Sequence, residues 1–336
     1  MPAGSAQDLL QATARSFYLT LRVLPARVRA QIGLAYLLAR TADTIADTEI
    51  VPPDQRLAAL QHLRERILGH DTAPLRFTEL ARQQGAPAEK LLLEKVEDGL
   101  AAHQACSPAD QKLIQAVLAT ILSGQELDLQ RFAVTPSPAG HAARPIKALA
   151  TAAELDDYTY RVAGCVGEFW TKLCRAHLFP QARLDEAQLV ADGIRFGKGL
   201  QLVNILRDLP ADLNHGRCYL PQAELTAAGL TPETLFLPAN ETGFLRVLHS
   251  HLEQAQAHLT AGWRYTNTLP YRQFRVRLAC AWPVLLGRKT LQKLRAADPA
   301  ALQQRVKVSR REVRTLLATS TLASPVPFLW HRLWRP

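Results

Sequence analysis

Two Asp-x-x-x-Asp pairs stand far apart in the sequence, Asp43/Asp47 in LLARTADTIADT and Asp208/Asp212 in LQLVNILRDLPADLNHGRCYLP. At 3.6 residues per turn, a four-residue separation puts both carboxylates of a pair on one helix face. Magnesium takes oxygen ligands in near-octahedral geometry, keeps several waters, and usually sits between one or two carboxylates and phosphate oxygens. Two acidic pairs converging on a shared apolar pocket therefore suit a Mg2+-bound diphosphate, with all four aspartates as metal ligands. Arg40 lies three residues before Asp43, Arg207 directly precedes Asp208, and Gln201 and Asn204 recur upstream at helical spacing. These residues are the candidate contacts to the diphosphate.

The elements carrying the pairs must be helices buried on most sides. Ile32, Leu34, Ala35, Leu37, Leu38, Ala39 and Ala42 precede the first pair, and Leu200, Leu202, Val203, Ile205 and Leu206 precede the second. A helix that is apolar nearly all round is a core helix, and carboxylates held there require cations. Those cations are either metal ions or the guanidinium groups of Arg40 and Arg207. Pro210 falls between Asp208 and Asp212, so Asp212 is expected on a kinked or terminating turn.

Helical periodicity continues through Pro53 to Leu68, Lys90 to Ala102, Ala109 to Phe132 and Phe244 to Thr268, while strand-like alternation is scarce. Proline-rich breaks fall at Val51-Pro52-Pro53, Thr135 to Pro138, Leu237-Pro238 and Ser324 to Pro327. With 336 residues and no low-complexity linker or internal repeat, the expectation is an all-α, single-domain chain. Residues 1–14 read as an N-terminal tail, 15–320 as the catalytic domain and 321–336 as a C-terminal tail.

A net charge of +10 and a pI near 9.6 favour anionic partners. Nucleic acid is not expected, because no binding motif accompanies the basic residues. Near the C-terminus Phe328, Leu329, Trp330, Leu333 and Trp334 alternate with Arg332 and Arg335, a composition suited to peripheral membrane contact or to packing back on the body. The first ten residues do not read as a secretory signal. Cys106, Cys165, Cys174, Cys218 and Cys280 have no metal-ligand spacing and read as reduced thiols of a cytoplasmic protein. His249 and His251 do not share a helix face and read as surface residues rather than a metal site.

SFYLTLRVLP at Ser16 to Pro25, LARTADTIAD at Leu38 to Asp47, YTYRVAGCVGEFW at Tyr158 to Trp170, and LQLVNILRDLPAD followed by GRCYLP resemble, in order and spacing, the successive blocks of the squalene/phytoene synthase family. The resemblance runs from about Ser16 to about Val313. It implies an isoprenoid-synthase-type helical bundle around a central apolar cavity, and head-to-head condensation of two allylic prenyl diphosphates. It also implies that Arg15, Ser16 and Phe17 contact substrate, that Arg161 and Lys198 reach the diphosphate, and that Tyr158 acts at the proton-removal step or positions the cation. Phe17, Tyr18, Tyr158, Tyr160, Phe169 and Trp170 are candidate aromatic faces for an allylic cation. Ala163, Gly164 and Gly167 permit close approach of a helix or a prenyl chain.

The family separates on a reductive second half-reaction. No Gly-x-Gly-x-x-Gly occurs, but Val306 to Arg311 resembles, with departures, the basic block of squalene synthases. That resemblance implies NADPH held by Lys307, Arg310 and Arg311. The reading reached from sequence is condensation of two farnesyl diphosphates through the cyclopropyl (presqualene) diphosphate, then NADPH-dependent reduction to squalene. The alternatives are a dehydrosqualene-, phytoene- or presqualene-diphosphate-type synthase without reduction, and a catalytically silent assembly protein of the same fold. Prenyl chain length and oligomeric state are not readable from these motifs.

Overall fold

Helices dominate because apolar residues recur at three- and four-residue intervals, and several of the helices begin at a proline. The structure, a computed structural model, describes residues 3–14, 17–132 and 146–334. Its contacts gather into two compact units. One holds residues 3–132 with 169–181, and the other holds residues 146–168 with 182–334.

In the first unit the Ala26–Asp47 helix is the central element. It packs against the Pro53–Leu68 and Pro108–Phe132 helices, which themselves pack together. Leu38, Ile45, Leu60, Leu63, Ile114, Leu118 and Leu122 on these helices are fully buried. Pro53 begins its helix at a position where its missing N–H is no loss, and Gly69 ends that helix with φ 78°. The periodic run expected from Lys90 to Ala102 is two helices, Pro87–Glu94 and Val96–Gln104, broken at Lys95. Residues 3–14 are helical, and Leu9 buries itself against Leu37 and Leu92. The stretch expected as an N-terminal tail thus contributes to the core.

The second unit is built on the 29-residue Glu186–Asn214 helix, which packs along the Glu241–Thr268 and Phe274–Ala296 helices. Pro210 lies inside it without ending it, so Asp208 and Asp212 share one helix, with Asp212 in its last turn. Buried Asp192 accepts both guanidinium donors of Arg264, one of them Nε at 2.7 Å, and the Nε2 of Gln188 at 3.1 Å. This ties the two longest helices together, and removing Arg264 would leave the buried carboxylate without its cation. Two short strands, Lys147–Leu149 and Arg217–Pro221, form a parallel pair. His251, expected at the surface, is buried on the Glu241–Thr268 helix with its Nε2 2.9 Å from Glu224, while His249 is exposed.

The C-terminal segment packs back on this unit in part. The rings of Trp330 and Trp334 each stack on Trp263, at 5.3 and 5.4 Å, and Trp330 Nε1 donates to Asn267 Oδ1 at 2.7 Å. Phe328 and Leu329, in the same short helix, face solvent. Among the described residues all five cysteines are free, and no helix is long and apolar enough to cross a membrane.

One crossing depends on glycine. The Tyr160–Gly164 π-helical turn and the start of the Cys165–Leu178 helix lie directly against the Glu186–Asn214 helix. A Cβ on Gly167 would stand 1.8 Å from the Gly193 carbonyl oxygen, and one on Gly197 would stand 2.2 Å from that of Ala163. Backbone meets backbone here, so neither side can yield cheaply. Gly167→Ala is expected to lower stability by at least about 2 kcal/mol, whereas Gly85→Ala, with open space around it, is expected to be neutral or slightly stabilising. Urea unfolding of the two variants checks this, and equal midpoints would refute the close crossing.

Candidate active site

The first acidic pair occupies the C-terminal half of the Ala26–Asp47 helix, where Thr41, Ala42, Thr44, Ile45 and Ala46 are buried and the carboxylates emerge on the remaining face. Asp43 Oδ1 accepts from Gln125 Nε2 at 2.5 Å, and its Oδ2 lies 3.6 Å from Arg40 Nη1. Arg40 also pairs with Glu89. Asp43 is half-buried, with 36% of its side chain open. Burial, followed by the charge of Asp47, pushes its carboxyl up to about 6 against the opposing pull of Arg40. Asp47 is exposed at the helix end, where the buried Arg56 guanidinium donates to the neighbouring Ala46 carbonyl. A cation at that end also suits the negative pole of the helix.

The second pair lies on the polar stripe of the Glu186–Asn214 helix, formed by Lys198, Gln201, Asn204, Asp208 and Asp212 at intervals of three and four. Asn204 Nδ2 donates to Gln201 Oε1 at 3.5 Å. Two arginines grip Asp208. Arg207 donates through Nε at 3.0 Å and Nη2 at 2.5 Å, while Arg305 places Nε 2.6 Å from Oδ1 and Nη2 3.3 Å from Oδ2. Asp212 is half-buried.

Tyr158 to Glu168 of the block containing Tyr158 belong to the same unit. Tyr158 is buried with its ring stacked on Tyr219 at 4.7 Å, which joins this helix to the Arg217–Pro221 strand. Arg161 Nε donates to Asp157 at 2.8 Å, and Tyr160 donates its hydroxyl proton to Glu168 at 3.2 Å. Lys198 donates to Asp156 at 2.7 Å and lies 5.8 Å from the centre of the Tyr160 ring. A π-helical turn inserts one residue into the helical path, and such turns recur at functional sites. Beside it the His258 imidazole is held down to about 4, first by burial and then by the charges of Arg195 and Lys198.

Lys307, Arg310 and Arg311 are exposed on one continuous segment. Ser309 and Glu312 form a reciprocal capping box at the start of the Arg310–Ala323 helix, and Lys293 clamps Glu312 at 2.7 Å. The helix's own cap occupies the Glu312 amide, so a bound anion would be met by the side chains of Lys307, Arg310 and Arg311. Arg305, two residues before Lys307, carries this segment to Asp208. Arg15 and Ser16 lie outside the described residues, and for Phe17 only its place in the Phe17–Val23 helix is described.

Sequence reasoning missed Gln125, Glu89, Arg56 and Arg305. Arg305 alone left a signal, its position beside the basic Val306 to Arg311 run. The other three are ordinary polar residues of amphipathic helices. As for the metal, the donors are hard carboxylate oxygens presented in pairs, and the surroundings of Asp43 disfavour its charged form, a cost that a bound cation would offset. Among the described residues no three acidic, histidine or cysteine side chains gather as a closed cage. That donor set fits a cation that keeps waters and takes the rest of its ligands from phosphate.

Residues 10–312 match the family model of squalene/phytoene synthase. The chain belongs to the squalene/phytoene synthase family. It is 28% identical to the presqualene diphosphate synthase of Rhodopseudomonas palustris, over 89% of this chain and 90% of that protein. It is 26% identical to the 15-cis-phytoene synthase of Enterobacter agglomerans, over 96% and 99%. In fold it is similar to TcSQS in complex with the ligand BPH1237, with TM-score 0.75 and 22% identity, covering 96% of this chain and 88% of that one. The fold is therefore the all-α isoprenoid-synthase type, and the protein is a prenyltransferase of the squalene/phytoene synthase kind.

The capping box supplies a pH test of how the basic segment is held. Lys293 first, then Ser309, draws the Glu312 carboxyl down from its ordinary 4.5 to about 2. A depressed acid stabilises the fold fully above its unfolded value and loses that contribution as pH falls through the folded value. Wild type is expected to exceed Glu312→Gln in urea midpoint at pH 6, with the gap closing between pH 4.5 and 2. A gap independent of pH would contradict this arrangement.

Proposed function

We propose that this protein joins two farnesyl diphosphates head to head through the cyclopropyl (presqualene) diphosphate and reduces that intermediate to squalene with NADPH. The observation that carries the condensation is the pair of Asp-x-x-x-Asp faces, each supplied with arginine and amide partners of its own. In this reading Asp43, Asp47, Asp208 and Asp212 hold Mg2+, which supplies Lewis-acid neutralisation of the departing diphosphate's charge. Arg40, Arg207, Arg305, Gln201 and Asn204 orient phosphate oxygens, and Arg15, Ser16, Phe17, Arg161 and Lys198 complete the substrate contacts.

When substrate arrives, the arginines that neutralise Asp208 turn from carboxylate to phosphate, so positive charge is already at the point where negative charge develops. The C–O bond of one allylic diphosphate breaks and leaves an allylic cation. The double bond of the second chain attacks it, and loss of a proton closes the cyclopropane. Tyr158 is the residue assigned to that proton step or to positioning the cation. Its burial against Tyr219 fixes its ring in a water-poor setting.

For the second half-reaction, Lys307, Arg310 and Arg311 are assigned to the phosphates of NADPH, which supplies hydride when bound. Their charge and exposure fit that role, and the contact of Arg305 with Asp208 supports placing this segment beside the diphosphate. A second reading ends at presqualene diphosphate. The similarity to a presqualene diphosphate synthase along 89% of the chain favours it, as does the use of Ser309 as a helix cap where squalene synthases carry an arginine.

Farnesyl diphosphate with Mg2+, with and without NADPH, distinguishes these outcomes. Squalene formed only with NADPH is the expected result. Presqualene diphosphate under both conditions supports the second reading, and dehydrosqualene under both conditions overturns the first. Asp43→Asn and Asp208→Asn are each expected to lower turnover by about two orders of magnitude or more with thermal unfolding retained, and activity above a tenth of wild type in both would remove the assigned metal role.

A further inference from the structure

The charge of this protein is concentrated at one end of its sequence. Residues 271–336 hold fourteen Lys and Arg against only Asp298 and Glu312, a net +12, whereas the whole chain nets +10. Both acids are engaged locally, Asp298 with the Ala301 amide and Glu312 in the capping box with Lys293. The same region exposes large apolar side chains at Leu322 and in two stretches, Tyr271 with Phe274 and Val326 with Phe328 and Leu329. Phe328 is 60% exposed, Phe274 53% and Tyr271 52%.

The two stretches are neighbours in space. Tyr271 donates its hydroxyl proton to the Pro325 carbonyl at 2.9 Å, and the Arg277 guanidinium lies 5.4 Å from the Tyr271 ring and 5.3 Å from that of Trp330. Beneath them Trp330 and Trp334 are locked on Trp263, so the outward rings stand on a packed base. Guanidinium groups sit among them. Exposed Arg272 follows Tyr271 directly, and Arg332 lies 5.3 Å from the centre of the Phe328 ring.

We propose that this face, formed by Tyr271, Phe274, Val326, Phe328 and Leu329 with Arg272 and Arg332, docks on the surface of an anionic lipid bilayer. Rings and aliphatic side chains enter the headgroup region while arginines meet lipid phosphates, a division of labour suited to interfacial binding. Cations alone would suit many polyanions. Exposed rings set beside arginines favour a surface that is apolar just below its charge. With no described helix able to cross a bilayer, the contact is peripheral.

The test is co-sedimentation of the full chain with vesicles of phosphatidylcholine alone and of phosphatidylcholine with a minority of phosphatidylglycerol. Wild type is expected to sediment with the anionic vesicles and to be released by salt. The double substitution Phe328→Asp/Leu329→Asp is expected to weaken binding by about ten-fold or more with thermal unfolding unchanged, since both positions are exposed. Arg272→Glu/Phe274→Ser, on the other stretch, is expected to do the same. Wild type remaining in the supernatant with both vesicle types overturns the proposal. So does sedimentation of both double variants equal to that of wild type, or variants that split a dimer on a sizing column while binding vesicles as wild type does.

Discussion

Two carboxylates one helical turn apart repel each other, and an apolar helix holds them only if positive charge is brought to meet them. The structure meets that constraint twice, by different means. At Asp43 the charge comes from Arg40 on the same helix and a neutral donor from Gln125 on another, while the buried Arg56 donates to the carbonyl of Ala46 beside Asp47. At Asp208 two arginines close on one carboxylate from its own helix and from the segment before residue 310. The amphipathic helices, the caps and the apolar packing serve to keep these charges where they balance.

In the proposed reading that balance prepares the site to exchange ligands. An arginine bound to a carboxylate is already oriented, so transferring its fork to a phosphate requires little reorganisation. The cost of holding such groups is met by rigidity elsewhere, chiefly the glycine-mediated crossing at Gly167 and Gly197 and the buried Asp192 to Arg264 pair. Neither touches the acidic motifs directly, yet both fix the helix that carries Asp208 and Asp212.

The sequence disclosed the motif-bearing helices well, because a period of three to four is a property of the residues themselves. Its reading of Gly164 and Gly167 as close-approach positions matches the crossing on the Glu186–Asn214 helix. It was less informative where the outcome depends on partners distant in the chain. Pro210 reads locally as a break, but it falls near the end of a helix whose packing continues past it. His251 looks like a surface residue until Glu224 arrives beside it. Arg305 has no motif of its own, and its role follows from a loop that returns 97 positions later to Asp208. Trp330 and Trp334 read equally well as lipid anchors or core, and only the position of Trp263 decides for the core.

The central claim is that both aspartate pairs bind metal together with substrate diphosphate. It is tested most directly by a crystal of the protein grown with Mn2+ and a farnesyl thiodiphosphate that resists ionisation, read by anomalous scattering. The account predicts manganese peaks against Asp43 or Asp47 and against Asp208 or Asp212, each also touching diphosphate oxygens, with Arg207 and Arg305 moved from Asp208 to phosphate. Diphosphate bound without metal at either pair, or manganese bound only at other carboxylates, would contradict it.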